Sequence, residues 1–171
     1  GSNNVAIGFE ALDGNTTADN NIGIGYQALF ANTTGNHNIA IGKNALDANT
    51  VGDRNVAIGS TALTNFNPGS DSDTYNTAIG YSAGNDMTTG VDNTLIGGLA
   101  GDALTVADAN VAIGTAALTS DTKGSKTVAI GKGALQVQNF TSATDSNNTA
   151  VGFQSAASNT TGTNNVAIGT N

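Results

Sequence analysis

Polar and apolar positions along the chain fall in one recurring frame. The order polar, apolar, small, apolar, Gly is first met as Asn4-Val5-Ala6-Ile7-Gly8 and last as Asn165-Val166-Ala167-Ile168-Gly169. The glycines that close the motif are Gly8, Gly25, Gly42, Gly59, Gly80, Gly97, Gly114, Gly131, Gly152 and Gly169, evenly spaced except for two longer steps, Gly59 to Gly80 and Gly131 to Gly152. A repeat of fixed short period marks a solenoid, a propeller or an array, and propeller blades need roughly 40 residues, far more than one step here. Helical repeats are longer too, and this motif is rich in strand formers and Gly. The frame therefore predicts an all-β, parallel β-solenoid of about ten turns, one motif per turn, with residues 1–171 as a single repeat domain. Stacked at the interstrand spacing of about 4.8 Å, ten motifs give a rod roughly 45 Å long.

Each column of the repeat has a physical reading. The residue before the motif Gly is Ile in nine copies and Val151 in the tenth, and two positions earlier stands Val, Ile or Thr. Strand alternation puts these two columns on one face and the intervening Ala on the other. The Ile column is expected to be the core. Three and four residues after the Gly come Ala and usually Leu, as in Ala28-Leu29, Ala45-Leu46 and Ala117-Leu118. Leu is expected to form a second inward wall facing Ile across a thin roll, thinned at Gly84, Gly101 and Ala156. The Gly itself reads as a corner that needs positive φ or close packing. Asn opens nine of ten motifs, with Thr127 the exception. Stacked Asn side chains predict a hydrogen-bonded ladder along the rod. Segments such as Asn32-Thr33-Thr34-Gly35-Asn36 read as turns.

The strand is apolar on both faces, and such strands are covered on both sides. With Ile inside, the Ala column (Ala6, Ala40, Ala57, Ala78, Ala112, Ala129, Ala150 and Ala167) becomes an outer stripe, expected either to form the seam of a homo-oligomer or to be innocuous.

Two turns carry four extra residues, one between Leu63 and Asn76 and one between Leu135 and Asn148. The second lies one block of four turns beyond the first. Each holds a Phe in a polar stretch. Loops on a rigid scaffold are where binding concentrates. Phe66, Asp71, Asp73, Tyr75, Phe140 and Asp145 are therefore the candidate ligand-binding residues, with stacking on a sugar as the chemistry. The competing reading tucks each Phe under its own loop or into a seam.

Composition removes other classes. With five cations against thirteen carboxylates, net charge −8, a nucleic-acid groove or an anionic membrane surface is disfavoured. The absence of Cys excludes disulfides and thiolate metal sites. No run approaches a membrane-spanning length, so no direct membrane insertion is expected. The fragment Ile7-Gly8-Phe9-Glu10-Ala11-Leu12 fits a loose acyltransferase hexapeptide, but the rest of the turn does not continue it. His37, the one histidine, takes a variable surface position, and the Asp71/Asp73 pair lacks the shell a glycosidase dyad or a calcium cage needs. No P-loop, zinc motif or nucleophile elbow is present. No enzymatic activity, cofactor or metal is expected. The Asn-x-Ser/Thr sequons are what an Asn/Thr-rich chain contains by chance.

The motif as it stands in Asn55-Val56-Ala57-Ile58-Gly59 and Asn110-Val111-Ala112-Ile113-Gly114 resembles the head repeats of trimeric autotransporter adhesins of the YadA type. Similar repeats occur in bacteriophage tail fibres, and the resemblance runs the whole chain. It implies a left-handed parallel β-roll, a homotrimer, and an extracellular fibre on a bacterial cell surface or a virion tail. The family's repeats are typically shorter, so the longer period here departs from them in the outer turn. Three functions follow: an adhesive fibre segment that attaches to a host glycan or matrix protein, a purely structural spacer within a longer fibrous protein, and an ice-binding solenoid. The last is motivated by a Thr column eight residues after the Gly: Thr16, Thr33, Thr50, Thr88, Thr105, Thr122 and Thr160.

Overall fold

The computed structural model describes residues 1–171, and the chain winds into a parallel β-solenoid of ten turns. Its strands in chain order are β1 (Val5–Ile7), β2 (Ile22–Ile24), β3 (Ile39–Ile41), β4 (Gly52–Asp53), β5 (Val56–Ile58), β6 (Ser72–Asp73), β7 (Thr77–Ile79), β8 (Thr94–Ile96), β9 (Val111–Ile113), β10 (Gly124–Ser125), β11 (Val128–Ile130), β12 (Thr144–Asp145), β13 (Thr149–Val151) and β14 (Val166–Ile168). The ten motif strands form one sheet in the order β1-β2-β3-β5-β7-β8-β9-β11-β13-β14. Equivalent residues sit side by side throughout: Ala40 beside Ala57, Ile41 beside Ile58. The long turns add two small sheets, β4 with β6 and β10 with β12.

The strands of the large sheet are only three residues long, so the sheet alone does not hold the rod. Of 99 backbone hydrogen bonds, 79 lie outside regular strand pairing, and most link one turn to the next. Three positions of a typical turn adopt left-handed φ, as in Gln27 (52°), Leu29 (54°) and His37 (59°). Such a conformation costs an L-residue about 1–2 kcal/mol. It is offset here because each of these N–H groups donates to a neighbouring turn: Gln27 to the Phe9 carbonyl, Leu29 to the Ala45 carbonyl, His37 to the Asp19 carbonyl. The motif glycines go further. Gly59 has φ of 137°, and a Cβ there would stand 2.3 Å from the carbonyl oxygen of Gly80. Both readings of the corner Gly, positive φ and close approach, hold together.

The orientation of the strand is the reverse of the sequence expectation. Ala40, Ala57, Ala78, Ala112, Ala129 and Ala150 are fully buried in the roll, while the Val and Ile columns point outward and remain partly exposed. Ala6 and Ala167 share that register at the two end strands, where no further turn covers them. The reason is width. Leu29, Leu46, Leu63, Leu118 and Leu135 do form the inward wall, with the Ala three residues after each Gly beside them. Across so thin an interior, Leu on one wall leaves room only for Ala on the other. One departure tests the spacing. Leu95 replaces Ala in the strand column, and there the Leu wall falls to Gly84 and Gly101. A Cβ on either glycine would lie 2.8 Å from Leu95.

A second inward column, seven residues after the Gly, completes the core. It runs Asn32, Asn49, Phe66, Met87, Leu104, Asp121, Gln138, all fully buried. Leu95→Ala is expected to cost about 2–5 kcal/mol in chemical denaturation. Gly84→Leu alone is expected to destabilise, yet Gly84→Leu in the Leu95→Ala background restores part of the loss. Additive effects of the two changes would contradict the shared-volume account.

Candidate interaction surfaces

The Asn column at the head of each motif is a side-chain-to-backbone ladder. Asn21 Oδ1 accepts the Asn38 N–H at 2.8 Å, Asn38 Oδ1 accepts that of Asn55 at 2.9 Å, and Asn93 Oδ1 that of Asn110 at 3.0 Å. The other end of the Asn21 amide donates into the next turn, to the Gly35 carbonyl at 2.8 Å, whereas Asn55 Nδ2 donates to Asn38 Oδ1 and to the Asp53 carbonyl, both at 3.1 Å. Buried amides of this kind are structural: both ends are satisfied within the roll. At Thr127 the ladder loses its amide, and neighbours bridge the gap. Thr127 Oγ1 meets Ser146 Oγ at 2.5 Å and accepts from Gln138 Nε2 at 3.2 Å, and Gln138 Oε1 receives Asn148 Nδ2 at 2.8 Å. Asp121, fully buried with no ion-pair partner, accepts from the N–H groups of Gly124 and Phe140, both at 3.0 Å, and from Gln138 Nε2 at 2.7 Å.

The candidate binding residues separate into two groups. Phe66 is fully buried and Phe140 is 6% exposed. Neither is available to stack on a ligand, so the sugar-stacking expectation fails for both, and the reading that tucks them inward holds. Phe66 belongs to the column seven residues after the Gly, between Asn49 and Met87, where the interior requires a large side chain. Phe140 closes over Gly124 of the preceding turn, a site that Pro68 fills over Gly52 in the other long turn. Asp71, Asp73, Tyr75 and Asp145 are exposed. Arg54 Nε lies 2.8 Å from Asp73, and the Tyr75 hydroxyl donates to Asp73 at 2.9 Å, which raises the Tyr75 phenol above its ordinary value. In the other long turn Lys126 Nζ lies 2.5 Å from Asp145. Each protruding turn is thus clasped by one ion pair to the turn before it. At this exposure each pair contributes about 0–1 kcal/mol.

The Thr column is engaged within the rod. Thr16, Thr33 and Thr105 hydroxyls donate to the carbonyls of Thr33, Thr50 and Thr122, each at 2.9 Å. Where Asn67 and Asn139 break the column, their side-chain oxygens accept from Thr50 at 3.0 Å and Thr122 at 3.1 Å.

The outer face of the ten-stranded sheet is the largest feature left unpartnered. Its columns, from Val5 and Ile7 to Val166 and Ile168, contain Val, Ile and three Thr and no charged residue. At about 4.8 Å per strand and about 10 Å wide, it covers roughly 450 Å², a patch of functional size for a monomer. Aromatic residues flank it in the position after the motif Gly. Phe9 and Tyr26 stack with ring centroids 5.4 Å apart, and Tyr81 and Phe153 stand exposed in the same column. The surface has no pocket and no cluster of metal-ligating side chains.

These features define a β-solenoid rod with one flat apolar face and two clasped protrusions. Comparison with protein-family models, curated proteins and solved structures returned no match to the chain.

One carboxylate on the outer turns has a displaced titration. Partial burial raises Asp102 above its ordinary value of 3.8, against the Thr119 hydroxyl, which donates to it at 2.5 Å and pulls the other way. A raised carboxylate pKa means that ionised Asp102 weakens the fold, so its favourable contribution is present below the unfolded pKa and is lost as pH rises through the folded one. Asp102→Asn, which keeps an acceptor for Thr119, is expected to raise the melting temperature at pH 7. The gain should shrink on acidification and vanish below the ordinary value of 3.8. Melting curves of both proteins across that range check this, and a gain independent of pH would refute it.

Proposed function

We propose that the chain is a structural and adhesive segment of a homotrimeric surface fibre, on a bacterial cell or a virion tail, that assembles through the outer face of its sheet. The observation that carries this reading is the continuous uncharged Val/Ile face. In a chain of net charge −8, it is a long face of Val and Ile on which another copy meets no like charge. The seam is thus assigned to the Val and Ile columns, not to the Ala column. The face offers roughly 450 Å² per copy, less than the roughly 800 Å² that each partner of a standard interface buries, so the columns flanking it join the seam. The resemblance to trimeric autotransporter heads supports the homotrimeric arrangement, including a left-handed roll. In this reading the protruding turns, with Asp71, Asp73, Tyr75 and Asp145, face outward toward a host glycan or matrix protein.

The burial of Phe66 and Phe140 favours a second reading, a structural spacer whose recognition lies elsewhere in a longer chain. Glycan-array binding lost on Tyr75→Ala supports adhesion; an array blank for the parent trimer supports the spacer. The ice-binding alternative is weakened because the Thr hydroxyls that would order water donate to the next turn instead.

Light scattering is expected to give a particle three times the 16.8 kDa of one chain. Ile58→Lys with Ile113→Lys places charge in the seam and is expected to give a folded, β-rich single chain. Ala57→Leu, inside the roll, is expected to reduce stability by about 1–3 kcal/mol through overpacking. A parent protein that runs at 16.8 kDa sinks the assembly.

A further inference from the structure

The outer face is uniform except at three places. The column before the strand Ala is Val or Ile in seven turns and Thr77, Thr94 and Thr149 in the others. In the sheet these three lie on β7, β8 and β13, the fifth, sixth and ninth of its ten strands. Thr77 and Thr94 are direct neighbours, and Thr149 stands between Val128 and Val166. Each is partly exposed, on the outward side of a strand whose central residue is buried. Thr74 and Thr127 have hydroxyls bonded within the roll. Those of Thr77, Thr94 and Thr149 make no hydrogen bond within the chain and face outward.

Resting on the assembly proposed above, we infer that Thr77, Thr94 and Thr149 set the axial register between copies of this chain, their hydroxyls pairing across the seam when equal turns lie level. The face needs such a device. A surface of Val and Ile that repeats every turn of about 4.8 Å matches itself almost as well after a slip of one turn or several. Hydrophobic contact is non-directional and opposes such a slip only through the apolar area that the end turns lose. A hydroxyl enclosed opposite Val or Ile does oppose it, because it is removed from water without a partner. The placement of the three Thr makes the match unique. They are separated by one, three and four strands, all different. A slip by any of these steps brings one Thr level with another and leaves the rest facing apolar side chains. Any other slip pairs none. Only zero slip pairs all three. Uncharged partners of Val shape give this selectivity without charging the face.

The test uses the absence of Cys in the chain. A single Thr115→Cys, exposed beside the face, carries a spin label, and the distances between labels in the assembly are measured. The parent is expected to show one distance population. The variant Thr77→Val with Thr94→Val and Thr149→Val takes the residue found elsewhere in that column, so it is expected to retain mass and circular dichroism. Its distances are expected to split into several populations, displaced by whole turns. An unchanged single population in that variant overturns the inference while leaving the assembly standing. Several populations in the parent overturn it too. A single-chain mass in the parent overturns the assembly reading, and the inference falls with it.

Discussion

The width of the interior governs this rod. Backbone hydrogen bonds from turn to turn fix the path of the chain, and the path fixes the distance between the strand and the Leu wall opposite. That distance accommodates one Leu and one Ala. Leu29, Leu46 and Leu118 on one side therefore require residues such as Ala40, Ala57 and Ala129 on the other, and every one is fully buried. Leu95 shows that the sum is conserved rather than the residue: the larger strand side chain is matched by Gly84 and Gly101. Once Ala occupies the inside, the Val and Ile that flank it in a three-residue strand are forced outside. The apolar outer face is thus a consequence of the thin core.

The same narrowness explains why so much of the interior is amide and hydroxyl. A thin roll buries backbone groups that a larger core would leave to solvent, and buried polar groups require partners. The Asn ladder supplies them at one residue per turn. No buried side-chain nitrogen or oxygen lacks a partner, even around Thr127, where Gln138, Ser146 and Asp121 replace the missing amide. The interior column of Phe66, Met87 and Leu104 makes the middle turns more apolar, and Asn32, Asn49 and Asp121 make the flanking ones more polar. Both solutions occupy the same position of the turn because the constraint is volume together with satisfied hydrogen bonds, not residue type.

The period, the one-motif turn, the inward Leu wall and the Asn ladder are legible in the sequence, because each is a matter of spacing or of a residue type with one good structural use. The sense of the strand is not. A period of two says that Val5 and Ile7 share a face and Ala6 takes the other; it does not say which face is inside. Size decides it, and the clue is present in Leu95, whose two neighbouring wall positions are the glycines at 84 and 101. Phe66 misleads for a related reason. It falls by eye among the extra residues of its turn, whereas counting from Gly59 puts it in register with Asn49 and Met87, in a column with no shared chemistry to betray it. Phe140 sits two positions further from its own Gly and covers Gly124, so the two aromatics are not equivalents although both lie in long turns.

The two long turns bear on how a solenoid of similar turns acquires distinct places. A solenoid built from one repeat has, to first order, no landmarks along its length, and its inner constraints permit few. Landmarks arise where the turn departs from the rule without disturbing the core. The long turns are one such departure, each tied back by a single ion pair, Arg54 with Asp73 and Lys126 with Asp145. Outward Thr in place of Val is another, since the inside of the strand is unchanged at Ala78 and Ala150. Variation is therefore pushed to the outer face and the outer turns, the two surfaces open to other molecules. The core tolerates only compensated change, while the outer face and the outer turns vary without disturbing it.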